Sequence, residues 1–193
     1  MGIKIVDITR ENFKQIPRPA SSQYNCQECF YWIEKRDGRT DLVKQKENWF
    51  LNREKKYGGS LGKLLLWSKQ KKPIGFIQFG PIIEFKTVRL IYKDQLPVPK
   101  GGWCISCVVI QKDYRSKGLA TRLIRNVLQD LKRRGVKAVD AYPLSEIGSG
   151  NQNSVGPVGL WEKCGFKKIS AIKFAKGEPA LYEGEMILMR KKW

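Results

Sequence analysis

The spacing of apolar residues changes along the chain between about two and about 3.6 residues, which predicts both strands and helices. Asp41–Tyr57 has the helical spacing, with Asp41 suited to cap the helix and Gly58 suited to end it. Before residue 103, alternating or continuously apolar runs predict strands at Ile3–Ile8, Lys63–Ser68, Ile74–Gly80 and Val88–Tyr92.

The clearest part of the pattern begins at residue 103. Trp103–Ile110 predicts a buried strand, Leu119–Arg134 predicts a helix with one apolar face, and Val136–Tyr142 predicts another strand. A strand, a helix and a strand in this order favour two parallel strands joined by a crossover helix. The rest of the chain predicts a short helix and two strands, at Val158–Cys164, Phe166–Phe174 and Leu181–Arg190.

The turn between Ile110 and the long helix is a candidate anion site. Backbone N–H groups and the helix dipole converge at such a turn. Gly118 and Ala120 lack bulk, so a phosphate can approach the backbone closely, while Arg115 and Lys117 add charge. Thr121 adds a hydroxyl. These residues alone predict a site for a pyrophosphate group without indicating which molecule carries it. The alternative is that Gly118 only permits a tight turn.

The net charge of the chain indicates possible binding partners but says little about the fold. The 193 residues fit one domain and carry 37 Lys and Arg against 18 Asp and Glu, a formal charge of +19. Such a charge attracts nucleic acid, ribosomes or a polyanionic cofactor, unless it reflects only a basic composition. No apolar stretch approaches the roughly 20 residues that span a bilayer, and no secretory leader is visible. We therefore expect a cytoplasmic protein without a membrane partner.

The sequence has no histidine and five cysteines, which limits the possible chemistry. Acid–base steps must use carboxylates, tyrosine, cysteine, lysine or water. Cys26/Cys29 and Cys104/Cys107 have the spacing of zinc ligands, but the pairs are far apart, and residues three apart in a strand face opposite sides unless a bulge intervenes. We expect no metal site. The segment around Cys26 and Cys29 is either an acceptor-site wall, a redox pair or aromatic packing.

Two motifs resemble the signatures of the GNAT superfamily of N-acetyltransferases. Arg115–Ala120 is similar to the pattern Gln or Arg, two residues, Gly, one residue, Gly or Ala. Leu160–Phe166 resembles the second signature, a helix that ends in Glu-Lys, one residue, Gly-Phe. The resemblance covers roughly residues 103–170 and little of residues 1–60. It implies a single acyltransferase domain over residues 1–193, with the cofactor-binding core at 103–170.

The resemblance implies an α/β (α+β) fold: a mixed, twisted sheet of about six to seven strands with helices on both faces, open after the fourth strand. Acetyl-CoA, the acetyl donor, would lie in that opening. Its pantetheine would pair with the backbone of Val108 and Ile110, and its pyrophosphate with N–H groups of the turn. The expected cofactor-binding residues are Val108, Val109, Ile110, Arg115, Ser116, Lys117, Gly118, Leu119, Ala120, Thr121, Asn153, Ser154 and Trp161.

The implied reaction is transfer of acetyl to a primary amine by direct attack in a ternary complex. A backbone N–H near Val108 would stabilise the charge on the thioester oxygen. Trp161 stands where many relatives have a tyrosine acid, and an indole cannot supply a proton at neutral pH. Tyr142 or water is the expected substitute, unless the thiolate leaves unaided.

The base and the acceptor stay open. Asp140, Glu146 or Glu84 would act through water, unless they are ordinary surface carboxylates, and Cys107 is either a nucleophile or an inert core thiol. The acceptor is a small-molecule, peptide or protein amine. Alternatives are an acetyl-CoA-binding module with little catalysis and a basic acetyltransferase acting on ribosome- or RNA-associated substrates, although no RNA-binding motif is visible. Relatives also suggest a homodimer.

Overall fold

The computed structural model describes residues 2–17, 25–33, 41–67, 71–92, 98–143, 155–173 and 185–193. These residues form seven strands, four α-helices and three short 3-10 helices. The strands are β1 (Ile3–Asp7), β2 (Gly62–Trp67), β3 (Lys72–Pro81), β4 (Trp103–Ile110), β5 (Ala138–Ala141), β6 (Lys167–Lys173) and β7 (Glu185–Lys192). The α-helices are α1 (Leu42–Tyr57), α2 (Lys86–Tyr92), α3 (Leu119–Arg133) and α4 (Val158–Glu162). The 3-10 helices are Phe13–Gln15, Ile82–Glu84 and Lys112–Tyr114.

The seven strands form one mixed sheet in the order β1-β2-β3-β4-β5-β7-β6. All neighbouring strands are antiparallel except β4 and β5, which are parallel and are connected by α3. The predicted strand–helix–strand unit and the mixed sheet are therefore confirmed. Two parallel strands require a long crossover connection, and α3 supplies it between β4 and β5.

Helices cover both faces of the sheet, as expected. On one side, which we call the α1 face, Trp49 and Phe50 of α1 and Val88 of α2 pack in one buried cluster with strand residues such as Leu64. On the other side, the α3 face, a second cluster holds α3, α4 and strand residues such as Leu65. Successive strand residues thus enter opposite cores, as the pleat of a strand requires.

The ends of α1 match the local sequence signals. The Asp41 carboxylate accepts a hydrogen bond from the Lys44 N–H at 3.2 Å and caps the first turn. The helix stops at Gly58, whose φ of 66° lies in the left-handed region that glycine tolerates best. Among the helices of the described residues, none is long and apolar enough to cross a membrane.

The predicted strand at Val88–Tyr92 is wrong, because this segment is helix α2. Val88 and Tyr92 are both buried on the α1 face and are four residues apart, which is the spacing of one helical side. The N–H of Arg89 donates to the Phe85 carbonyl at 3.0 Å. A short apolar run has the same appearance in a buried strand and in a short helix, so only the tertiary packing distinguishes them.

A bulge interrupts the pairing of β4 with β3. The register passes from Gln78 opposite Cys107 to Phe79 opposite Ile105, so β4 carries one extra residue at Ser106. Because of this residue, Cys104 and Cys107 both lie in the buried cluster of the α1 face, whereas a regular strand would send them to opposite sides. All five cysteines are free thiols, and within the described ranges no three metal-ligating side chains are grouped around a possible ion.

Candidate active site

The sheet opens between β4 and β5. The two strands pair over three positions only, from Trp103 opposite Val139 to Ile105 opposite Ala141, where β5 ends. Beyond the bulge at Ser106, β4 continues to Ile110 and pairs with β3 alone within the described part of the chain. The expected opening after the fourth strand therefore begins at the bulge.

The backbone of the last part of β4 points alternately toward β3 and toward the opening. The Gln111 N–H donates to the Ile74 carbonyl of β3 at 2.9 Å. Since hydrogen-bonding groups alternate sides along a strand, Val109 faces β3, while Val108 and Ile110 face the opening. The Ile110 carbonyl accepts a hydrogen bond from Arg115 Nε at 3.0 Å. Val108 and Ile110 are thus the two predicted residues whose backbone an extended ligand can reach.

The turn that connects β4 to α3 contains two residues whose backbone lies in the left-handed region. Ser116 has φ of 59° and Gly118 has φ of 72°. Gly118 is the residue before α3, and no side chain caps the helix at this position. The N–H groups of the first turn, which begins with Leu119, Ala120 and Thr121, therefore remain available to an anion.

Arg115 and Lys117 support the turn through its backbone. Besides the bond from Arg115 to Ile110, Lys117 Nζ donates to the Asp113 carbonyl at 2.9 Å. The residues Arg115, Ser116, Lys117 and Gly118 are all exposed, whereas Leu119 is buried and fixes the start of α3 on the α3 face. The predicted turn residues are thus brought together in one exposed turn at the start of α3.

Trp161 of α4 is fully buried and its only donor is occupied. The indole N–H donates to the Val155 carbonyl at 2.6 Å, and the ring packs edge-to-face on Phe166 with centroids 5.1 Å apart. This hydrogen bond leaves Trp161 with apolar contacts alone for any ligand. The predicted positions Asn153, Ser154 and Glu146 lie outside the described residues.

Asp140 and Tyr142 lie in a buried polar cluster on the α1 face. The Asp140 carboxylate, 1% exposed, accepts hydrogen bonds from Arg190 at 2.7 and 2.9 Å and from the Tyr92 hydroxyl. The Tyr142 hydroxyl is 3.3 Å from the Tyr92 hydroxyl, and burial raises the pKa of both tyrosines. Because Tyr92 gives its single proton to Asp140, Tyr142 is the donor to Tyr92.

This cluster changes what the two predicted catalytic residues can do. Asp140 already accepts from a guanidinium and a phenol, and Tyr142 is fully buried with its proton directed at Tyr92. In this arrangement they join β5 to β7 and α2. Their roles as base and acid stay predictions, and proton transfer by either requires the cluster to rearrange.

Glu84, the third candidate base, is held by three partners. Burial disfavours its charge, but hydrogen bonds from Lys56, Tyr57 and Arg53 outweigh that effect and lower the pKa of Glu84 to about 2. A carboxylate with so low a pKa takes up a proton poorly at neutral pH. The contacts therefore favour a structural role that joins α1 to the segment before α2.

The sequence did not point to Lys46, which the structure places in the core of the α1 face. Its side chain is buried, and Nζ donates to the carbonyls of Cys26 and Cys29 at 2.7 Å each. These bonds attach the segment 25–33 to α1. Within that segment Trp32 stacks on Tyr142, with ring centroids 6.1 Å apart. The cysteine segment thus packs beside the end of β5.

Comparison with known proteins connects this geometry to a family. The model of the acetyltransferase (GNAT) family matches residues 17–166. None of the curated protein sequences matches the chain significantly.

Solved structures share the fold at low sequence identity. The NatC complex bound to Gag peptide and CoA has a similar chain at TM-score 0.62 and 15% identity, with 100% of this chain and 99% of that chain covered. A mosquito arylalkylamine N-acetyltransferase like 5b is similar at TM-score 0.61 and 15% identity, with both chains covered over 100%. A ribosomal-protein-S5-alanine acetyltransferase from Vibrio fischeri is similar at TM-score 0.60 and 13% identity, with coverage of 98% and 92%.

Proposed function

Because the chain belongs to the acetyltransferase (GNAT) family, with acetyl-CoA as its acetyl donor, we propose that it acetylates a primary amine by direct attack in a ternary complex. The observation that supports this proposal best is the continuity of the opening between β4 and β5 with the uncapped start of α3. An extended thioester whose pantetheine leads into a pyrophosphate matches an extended strand edge that leads into a turn suited to an anion.

The proposed cofactor contacts use mainly backbone groups. Val108 and Ile110 would pair with the pantetheine amides. Of the predicted turn, the Arg115 N–H already donates to the Lys112 carbonyl at 3.1 Å, so the N–H groups from Ser116 to Ala120 would hold the pyrophosphate, with Arg115 offering its charge and Thr121 its hydroxyl. Gly118 fits this role because a Cβ added there would meet no protein atom within 4 Å, so the space beside it is open to a ligand. Trp161, Asn153 and Ser154 stay predicted contacts.

The proposed chemistry depends on the bulge in β4. A backbone N–H near Val108, at the apex of the opening, would stabilise the negative charge that develops on the thioester oxygen. The acceptor amine must lose a proton, and the departing sulfur must gain one or leave as a thiolate. Since the Trp161 N–H is bonded to Val155, water or a rearranged Tyr142 would serve the sulfur.

The acceptor would approach from the α1 face, beside the cysteine segment and α1. The similar structures include proteins named for a peptide complex, an arylalkylamine and a ribosomal protein, so both small-molecule and peptide amines belong in the screen. A module that binds acetyl-CoA without transferring it is the alternative. Release of free CoA thiol in the presence of an amine distinguishes the two.

Calorimetric titration with acetyl-CoA, and separately with pantetheine, tests the cofactor site. We expect acetyl-CoA to bind and pantetheine, which lacks the pyrophosphate, to bind at least about tenfold more weakly. Gly118→Leu should lower acetyl-CoA affinity by a similar factor, because the side chain enters the anion position. The matched control is Gly135→Leu at the other end of α3.

The two glycines share a left-handed backbone, with φ of 72° and 77°, and a Cβ at either meets nothing within 4 Å. Both substitutions should therefore cost a similar stability, about 1–2 kcal/mol, but only the first should weaken binding. Equal loss of affinity in both variants would contradict the assigned turn. Failure of acetyl-CoA and of longer acyl-CoAs to bind at all would overturn the enzymatic proposal.

A further inference from the structure

Two aromatic side chains meet at the end of the sheet next to the cofactor turn. Trp67 is the last residue of β2, and Tyr114 lies in the 3-10 helix that follows β4. Their ring centroids are 5.6 Å apart at an interplanar angle of 56°. Both rings are half-buried, with one side packed on the core of the α3 face and the rest exposed.

Lysines surround this aromatic pair. Lys72 Nζ lies 5.8 Å and Lys117 Nζ 5.6 Å from the centroid of the Tyr114 ring. Lys72 is the residue opposite Trp67 in the β2–β3 ladder, so cation and ring are neighbours by register. We call Trp67, Lys72, Tyr114 and Lys117 the aromatic–lysine surface.

A basic groove continues from this surface along the exposed side of α3. Its volume is about 680 Å³, and it begins at Gly118, directly after Lys117. Its floor includes Ile5 of β1, and the neighbouring Ile3 is paired with Trp67. The described lining residues include the cations Arg122, Arg125 and Lys163 and no carboxylate.

We infer that the aromatic–lysine surface and this groove bind single-stranded nucleic acid. A base would stack on Trp67 and Tyr114, and the phosphates would follow Lys72, Lys117 and the groove cations. Stacking platforms beside a cationic path are how proteins hold single strands without reading their sequence. An acidic protein would use the cations but would gain little from exposed ring faces. The net charge of +19 supports the same choice of partner.

The centre of the inferred site, formed by Trp67, Lys72 and Tyr114, is separate from the proposed acetyl-CoA site. The opening lies between β4 and β5, whereas Trp67 lies on β2, beyond β3 on the other side of β4. The two sites overlap at Lys117, Gly118 and Thr121, so bound acetyl-CoA would cover one end of the groove and leave Trp67, Lys72 and Tyr114 accessible. The inference does not depend on the proposed acetylation.

Fluorescence anisotropy with a labelled RNA oligomer of about 12 nucleotides tests the inference, since single-strand sites cover about 4–16 nucleotides. We expect binding at about 50 mM salt that weakens at least tenfold by about 200 mM salt, as released counter-ions require. Trp67→Leu and Lys72→Glu should each weaken binding roughly fivefold or more.

Matched control variants separate the surface from general basicity. Trp193→Leu removes a more exposed tryptophan directly after β7, and Lys55→Glu makes the same charge change at an exposed position of α1. Both should leave RNA affinity within about twofold. If Lys55→Glu weakens binding as much as Lys72→Glu, the attraction is diffuse and the inference fails.

Two competition arms complete the test. Saturating CoA should leave RNA binding largely intact; complete displacement would mean that RNA merely occupies the cofactor turn, which overturns the inference. Inorganic polyphosphate of equal charge should bind more weakly than RNA, because it has no bases to stack. Equal binding together with a silent Trp67→Leu would also overturn it. Acetyl-CoA titration of the same variants reports the proposed enzymatic site independently.

Discussion

Lysine side chains are usually charged and exposed, but the side chain of Lys46 is buried in the core. Its Nζ donates hydrogen bonds to the carbonyls of Cys26 and Cys29, both at 2.7 Å. Burial disfavours the charged form and lowers the pKa of Lys46 below its ordinary value of 10.5. The neighbouring groups that act on it electrostatically are the thiols Cys29, Cys26 and Cys107, which only partly oppose this shift. The amine therefore attaches the cysteine segment to α1 through two backbone carbonyls.

Replacing Lys46 by methionine should destabilise the protein because two buried carbonyls lose their donor. We expect the free energy of unfolding to fall by about 2–4 kcal/mol, measured by urea denaturation. Lys55→Met, on the exposed side of the same helix, should change it by less than about 0.5 kcal/mol.

The pH dependence of this difference has a definite sign. Lys46 releases its proton more readily in the folded state, so the unfolded state binds more protons below pH 10.5. Lys46 contributes its full stability above pH 10.5. This contribution is lost as the pH falls through the lowered pKa that Lys46 has in the folded state. The stability gap between wild type and Lys46→Met should thus widen as pH rises toward 10.5. A gap that narrows as pH rises would contradict a lowered pKa of Lys46 in the folded state.

At the scale of elements, one ion pair joins three parts of the fold. Asp140 of β5 is bound by Arg190 of β7 through two hydrogen bonds and by Tyr92 of α2. These contacts hold β5 beside its antiparallel neighbour just below the point where β4 separates from it. These contacts anchor the β5 side of the opening.

Breaking this pair should be costly. Arg190→Met leaves the Asp140 carboxylate, 1% exposed, without its cation, and we expect a loss of about 3–5 kcal/mol in unfolding free energy. Arg133→Met is the control, since the Arg133 side chain is 77% exposed and its ion pair with Asp130 is long, at 3.9 Å. This substitution should lower the free energy of unfolding by less than about 1 kcal/mol. Comparable losses in the two variants, measured by thermal or urea unfolding, would show that the buried cluster is not a structural anchor.

At the scale of the whole molecule, the charge of +19 acts on every anion that approaches. We expect the association rate of acetyl-CoA, measured by stopped-flow fluorescence, to fall at least about threefold between about 50 mM and about 500 mM salt. Pantetheine, which carries no phosphate, should show little change. A salt effect of equal size on both ligands would argue against electrostatic steering.

Much of the fold and part of the candidate site were predictable from the sequence, because their signals act between residues that are close together in the chain. The helix α1 was predictable from Asp41 and Gly58, which act within one turn of the helix ends. The unit from β4 through α3 to β5, and the turn at Gly118, lie within about 40 consecutive residues, where strand, turn and helix signals are strongest. The uncapped helix start at the candidate anion site was predictable because it consists of the backbone at the start of α3, which the fold of that unit alone produces.

The sequence by itself thus determined the α/β class, the crossover unit and the tight turn at Gly118, because each depends on residues close together in the chain. Only the tertiary structure decided that Val88–Tyr92 is helical, that the bulge at Ser106 places Cys104 and Cys107 on one face, and that Asp140 belongs to Arg190, 50 positions away. It also brought Trp67 beside Tyr114. Contacts between distant residues leave no periodic trace in a sequence, since each side chain meets its partner only after the sheet has formed.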